Sequence, residues 1–320
     1  MSGSGTSVRH VVDDRPRTLW TRLYVRGMWL RRDKDAFRGA EHTLRNAEKL
    51  QRSNGDAPPT RWTRLRCRVT VAGEAGMQVW TVQPRRAEPR VRIVYFHGGG
   101  YVHPLTPDYW RLVRALTAVP AEVVVPAYPL APGATVAEVL PRLVELAGAP
   151  SPLPTVLMGD SAGGALVFVV AAQLRDTGGP QPAGIVALSP WLDATLRDEE
   201  VPELEATDPM LDETGLRAAG RAWAGDRDPA DSLVSPIDGT LSGLPPVDML
   251  VGDRDILRPA VDRLLTKARD EDVTVDLLEV TEMFHVWMTR AIPEARRAQR
   301  EIVRRVRRRL PGPRQRAARR

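Results

Sequence analysis

The chain has 320 residues, 42% of them hydrophobic, and a net charge of +6 at neutral pH. That length and apolar content exclude a disordered chain and support one large domain, or a domain with a lid. The single cysteine, Cys67, excludes an intramolecular disulfide; no cysteine and histidine cluster has zinc spacing, and no apolar run reaches the roughly 18–20 residues that span a bilayer. The polar start Met1–Ser7 lacks the apolar stretch of a signal peptide, so the expectation is a soluble, cytoplasmic protein. The basic balance is local. Residues 304–320 hold nine arginines and no acid, and removing nine from +6 leaves −3. They read as a solvated tail, disordered over 311–320. A weak contact with anionic membranes, through this tail or a basic N-terminal helix, is the sharper reading. Nucleic acid is not expected, because no aromatic residues interleave the arginines and no DNA-binding motif is present.

In chain order, residues 1–14 read as disordered. Thr18 to about Gln51 follows a helical pattern, with Leu19, Trp20, Leu23, Tyr24, Met28 and Trp29 among arginines. Residues 1–60 are therefore expected to form a helical cap segment. Asn54–Pro59 is a linker, and 61–310 the catalytic domain. Arg64–Val71 and Met77–Val82 read as a hairpin of strands joined by 72–76, and Val91–Phe96 as a buried parallel strand. Then follow helix Trp110–Val119, strand Glu122–Pro126, helix Thr135–Leu146, strand Thr155–Met158, helix Ala162–Arg175 and strand Gly184–Leu188. Residues 193–243 break the alternation. They are acidic, with a helix at about Glu213–Trp223, and read as a cap insertion. Strand Val247–Val251, helix Arg258–Asp272, strand Thr274–Val280 and a last helix over 286–309 complete the series. Alternating strands and helices make an α/β fold, a mostly parallel sheet covered on both faces, with ligands expected at the carboxyl ends of the strands.

The centre of the chain is Gly159-Asp160-Ser161-Ala162-Gly163-Gly164, placed between a strand and a helix. A serine on so sharp a turn is lifted above the sheet, and its neighbours must be small. A nucleophilic serine needs a base and an orienting acid. His285 lies in a carboxyl-end loop before the last helix. Gly252-Asp253-Arg254-Asp255 ends the strand before it; Asp255 is the expected acid, because Asp253 follows the glycine too closely. His97-Gly98-Gly99-Gly100 follows the strand Val91–Phe96. Its glycines allow the backbone to approach a substrate, as an oxyanion site requires. A phosphate cradle is disfavoured because no P-loop lysine is present.

These residues resemble the hormone-sensitive-lipase-like esterases of the α/β-hydrolase fold. The resemblance runs from about Val91 to Trp287 and rests on the two glycine motifs, Asp255-Ile256-Leu257 and His285-Val286. It implies Ser161 as nucleophile, His285 as base and Asp255 as orienting acid. It also implies an oxyanion hole from the amides of Gly99, Gly100 and Ala162, with His97, Gly98 and Asp160 in support. The chain departs from the family where Ala127, Pro129 and Gly133 stand around Tyr128, Leu130 and Ala131; that motif is structural, and the form here resembles a bacterial branch that includes acetyl-hydrolases. No metal or cofactor is expected. The expected reaction is hydrolysis of short- to medium-chain carboxylic esters through an acyl-enzyme, with the substrate, a small-molecule ester, as the expected partner. An amidase, formamidase or lactonase, or a non-catalytic receptor on the same fold, are the alternatives. The apolar cap residues, with Met210, Leu211, Trp223, Met283, Phe284 and Trp287, are expected to line an apolar pocket.

Overall fold

A computed structural model describes residues 7–310. Its elements in chain order are β1 (Val8–Asp13), α1 (Leu19–Arg31), a 3-10 turn (Asp33–Phe37), α2 (Ala40–Ser53), α3 (Arg61–Arg66), β2 (Cys67–Glu74), β3 (Met77–Pro84), β4 (Val91–Phe96), α4 (Tyr109–Leu116), β5 (Ala121–Ala127), α5 (Val136–Gly148), β6 (Thr155–Asp160), α6 (Ala162–Asp176), β7 (Gly184–Leu188), α7 (Val201–Thr207), α8 (Glu213–Ala224), β8 (Val247–Gly252), α9 (Arg258–Asp270), β9 (Val275–Val280) and α10 (Pro293–Arg308). The strands form one sheet in the order β1-β9-β8-β7-β6-β4-β5-β3-β2. The pairs β2–β3 and β3–β5 are antiparallel and the other pairs of described strands are parallel. The inner strands β4, β7 and β8 are buried at every position, as a sheet covered on both faces requires. Alternate residues feed two apolar layers. Val94, Phe96 and Leu157 face Leu143, Leu166 and Leu264 of α5, α6 and α9. Ile93, Tyr95 and Met158 face Trp110 and Leu112 of α4 and Ile302 of α10. The α/β-hydrolase architecture expected from the sequence is the one observed.

Several local expectations are corrected. Val8–Asp13 is a strand, not part of a disordered start: it pairs in parallel with β9, and His10 Nε2 lies 2.8 Å from Glu279. This stretch of the 1–60 segment therefore belongs to the sheet. Residues 1–6, and the tail 311–320, lie outside the described residues. The expected strand Arg64–Val71 starts late, because Thr60 caps a helical turn over Arg61–Arg66. The hairpin loop then shrinks to Ala75 and Gly76, both at positive φ. The helix over 18–51 is broken where Arg32 turns left-handed and ends α1. The last helix does not begin at 286. A 3-10 turn, Trp287–Thr289, intervenes, and Pro293 starts α10. The insertion holds the expected helix as α8 and a second one, α7, that was not expected.

The arginines of 304–309 are not a solvated tail either. They close α10, and Arg305, Arg308 and Arg309 converge on Asp248, which is fully buried at the amino end of β8 (3.3, 3.0 and 2.7 Å).

Candidate active site

Strand β6 delivers Ser161 into a backbone that few residues tolerate, with φ +53° and ψ −120°. Such a conformation costs on the order of 1–3 kcal/mol and persists because its surroundings over-determine it. The Ser161 amide donates to the Leu188 carbonyl, and its carbonyl accepts from the Trp191 amide, both at 2.9 Å. The flanking glycines are steric necessities. A Cβ on Gly159 would lie 2.2 Å from the Gly163 carbonyl oxygen, and one on Gly163 would lie 2.0 Å from that of Phe96. The turn therefore packs directly on the end of β4, where the glycine loop begins.

That loop is clamped from below. Asp160 Oδ1 accepts the Tyr95 hydroxyl at 2.5 Å and the Gly98 amide at 3.1 Å. A Cβ on Gly98 would lie 2.9 Å from Ser161 Cβ, so Gly98 cannot carry a side chain. His97 is fully buried and stacks on Tyr128 at 4.5 Å, and the Tyr128 hydroxyl donates to the His97 carbonyl at 2.6 Å. Gly99, at φ +106°, is followed by a tight turn in which its carbonyl accepts from the amides of Val102 and His103. Among the described residues the amides of Gly99 and Gly100 meet no protein acceptor. Ala162, the first residue of α6, has the free amide of a helix start.

The third component comes from β8 and β9. His285 Nδ1 lies 2.8 Å from Asp255 Oδ2, and Asp255 Oδ1 accepts the Leu257 amide at 3.0 Å. Gly252 allows this approach, because a Cβ there would sit 2.2 Å from the Met283 carbonyl oxygen. Val286 adopts the left-handed region at φ +51°, and its amide donates to Ser189 Oγ at 3.2 Å. Ser189 follows Leu188, the residue that holds Ser161, so the histidine loop and the serine turn share one anchor. Ser161, Asp255 and His285 are 4%, 0% and 3% exposed, which closes the cluster from solvent. The structure thus gathers the sequence-selected residues at the carboxyl ends of β4, β6, β8 and β9, and pairs His285 with Asp255 rather than Asp253.

One participant was not anticipated. Asp208, from the insertion, is fully buried and accepts the Ile256 amide at 3.2 Å beside Asp255, as well as the Met210 amide at 2.7 Å. Burial, then repulsion from Asp255, raises its carboxyl to about 6. Burial likewise raises Asp160 to about 6. Around His285, burial works against the imidazolium, but Asp255, Asp208 and Asp160 together outweigh it and raise the pKa above its ordinary value. No motif signalled Asp208: it sits 47 residues from Asp255 in the chain, and only the folding of the insertion brings them together. The apolar cap residues divide. Tyr24 stacks at 6.1 Å on Phe284, the neighbour of His285, and Met28 is buried, whereas Leu19, Trp20, Leu23 and Trp29 are exposed to solvent.

A serine on a strained strand-to-helix turn, with a buried acid–histidine pair at the neighbouring strand ends, defines a hydrolase of the α/β-hydrolase class. Residues 93–289 match the family model for the alpha/beta hydrolase fold. An acetyl-hydrolase of Streptomyces hygroscopicus is 32% identical over 226 residues, 68% of this chain and 75% of that protein. An esterase of Acinetobacter venetianus is 28% identical, over 73% of this chain and 79% of its own length. The crystal structure of an esterase from the bacterial hormone-sensitive lipase family superimposes with a TM-score of 0.79 at 27% identity, over 92% of this chain and all of that one. The chain belongs to the α/β-hydrolase family, in its hormone-sensitive-lipase-like branch, and is a hydrolase of the carboxylesterase/lipase type.

Proposed function

We propose that the protein hydrolyses short- to medium-chain carboxylic esters through an acyl-enzyme on Ser161. The observation that carries this reading is the buried His285–Asp255 pair, bonded at 2.8 Å and tied through Ser189 to the strained serine turn. Asp255 accepts the Nδ1 proton of His285, which leaves Nε2 free to act as a base. His285 takes the Ser161 proton as Oγ attacks the ester carbonyl, and the resulting imidazolium is stabilised by the buried carboxylates around it. The oxyanion is received by the amides of Gly99, Gly100 and Ala162; the Gly98 amide is already committed to Asp160. Each such donor contributes about 3–4 kcal/mol to the transition state. His285 returns its proton to the departing alkoxide, and water then repeats the sequence on the acyl-enzyme. His97, Gly98 and Asp160 hold the loop in register without touching the reacting atoms.

Helices α1 and α2 with the insertion 193–243 serve as the cap. Gly215 of α8 packs so closely on Phe37 that a Cβ there would overlap the Phe37 carbonyl. The apolar side chains of Tyr24, Met210 and Phe284 would meet the acyl or alcohol group. Because the nucleophile is closed from solvent, substrate entry requires this cover to shift. Ser161→Ala should abolish turnover of p-nitrophenyl acetate and butyrate and labelling by a fluorophosphonate. Wild-type-like turnover in that variant would refute the assignment, and a panel of lactones and anilides would reveal a different preferred leaving group.

A further inference from the structure

Helix α1 carries apolar residues on the wrong side. Its inner face, Thr21, Tyr24, Val25 and Met28, packs onto the layer that holds Phe284 and Trp287. Its outer face should then be polar. Instead Leu19 is 72% exposed, Leu23 50% and Leu30 80%, and these three fall on one stripe at helical spacing. Trp20 (71%) and Trp29 (44%) flank the stripe. Five of the nine exposed large hydrophobic residues among those described lie on this one helix. A monomer rarely leaves such a patch bare without a partner for it.

The charges around the stripe select the partner. Helix α1 holds Arg22 and Arg26 on this side and no acid, whereas Arg31 and Arg32 at its end pair with Asp33 and Asp35, each at 3.0 Å. A second copy docked on the same face would bring Arg22 and Arg26 of both copies, four arginines, together. Leucine and tryptophan on one outward face, with Arg22 and Arg26 interspersed among them, suit a helix that lies in the plane of an anionic bilayer. The apolar side chains enter the acyl boundary, the tryptophans sit at headgroup level, and Arg22 and Arg26 each strengthen partitioning about fivefold.

We propose that the outer face of α1 docks the protein on anionic phospholipid surfaces. The contact needs no rearrangement of the inner face and does not depend on the chemistry proposed for Ser161. It sets the cap, and with it the cover over His285, against the lipid.

Co-sedimentation of the full chain with vesicles tests this. The protein should bind vesicles of phosphatidylglycerol and phosphatidylcholine, bind pure phosphatidylcholine at least about tenfold more weakly, and lose affinity on passing from about 0.05 to 0.5 M salt. The double variant Leu19→Glu/Leu23→Glu should lose about tenfold or more in vesicle binding. Its melting temperature and hydrolysis of a water-soluble ester should match the wild type, which separates lost docking from lost folding. Charge reversal of the tail, Arg314→Glu with Arg316→Glu, should leave most of the binding in place. The proposal is overturned if anionic vesicles are not bound, if the tail variant loses binding that Leu19→Glu/Leu23→Glu retains, or if sedimentation velocity shows a dimer that Leu23→Glu dissociates.

Discussion

The most discriminating perturbation of the proposed mechanism is Asp255→Asn. Asp255 spends one oxygen on the Leu257 amide at 3.0 Å and the other on His285 Nδ1 at 2.8 Å. Asparagine offers one acceptor and one donor group. The Leu257 amide can only donate, so the asparagine oxygen stays there and the NH2 turns towards His285. Nδ1 must then accept, and the ring proton moves to Nε2. That is the atom required to take the proton of Ser161, so the base is lost although every heavy atom keeps its place. Wrong-tautomer substitutions of this kind cost roughly 10⁴ in kcat, or about 5.5 kcal/mol. The assay is kcat for p-nitrophenyl acetate, with circular dichroism to verify the fold. Asp253→Asn is the control. Asp253 uses its amide to hold the Val280 carbonyl at 3.3 Å, and its carboxylate makes no bond to His285, so near-normal kcat is expected. The reasoning fails if Asp255→Asn remains within about tenfold of wild type, or if Asp253→Asn takes the larger loss.

Two further outcomes follow from charges buried near to and far from the site. The carboxylates around His285 raise its pKa, and the base works only when neutral, so kcat/KM should fall as pH drops through a value above the ordinary 6.5 or so of histidine. Asp208→Asn removes one cause of that rise, so the acid limb should move to lower pH, whatever happens to its height; an unmoved or raised limb would remove Asp208 from the electrostatics of the site. Asp248 lies at the opposite end of the sheet, beneath Arg305, Arg308 and Arg309, and Arg305 is itself only 3% exposed. Asp248→Asn removes the carboxylate that the three arginines share, while Arg305 keeps Asp276 at 3.2 Å and Glu301 at 2.8 Å; the fold should lose about 1–3 kcal/mol in urea titration, with turnover of the folded protein unchanged.

Most of the sheet was legible because its strands are short, almost wholly apolar runs between turn residues, and Val91–Phe96 and Gly184–Leu188 have the expected bounds. The errors share a cause. Val8–Asp13 reads as polar because this edge strand buries no residue fully and is held by its backbone pairing with β9. Arg64 and Leu65 alternate as a strand would, but Thr60 caps a helical turn ahead of them, and a local cap outweighs two residues of pattern. The arginines of α10 look like a tail because their partner, Asp248, is remote in sequence. The glycines at 159, 163 and 252 were legible as small residues, but the reason for each is a backbone approach that only the packed sheet reveals.

The electrostatic character of the site follows from the same gap. A motif delivers Asp160 and Ser161 together because they are neighbours, and it delivers Asp255 and His285 because each ends a strand. Asp208 satisfies neither condition. It arrives on the insertion, and its two oxygens are consumed by backbone amides, one of them the Ile256 amide next to Asp255. Its carboxyl is therefore fixed, desolvated and close to Asp255, which is why its pKa rises. An imidazole facing three buried carboxyl groups gains a proton more readily than one in water, and in the proposed mechanism that gain coincides with attack by Ser161. The insertion thus does more than cover the sheet: on this reading it supplies part of the field in which the proton moves, so replacing it with a neutral segment would leave the serine, acid and histidine in place yet lower the basicity of His285.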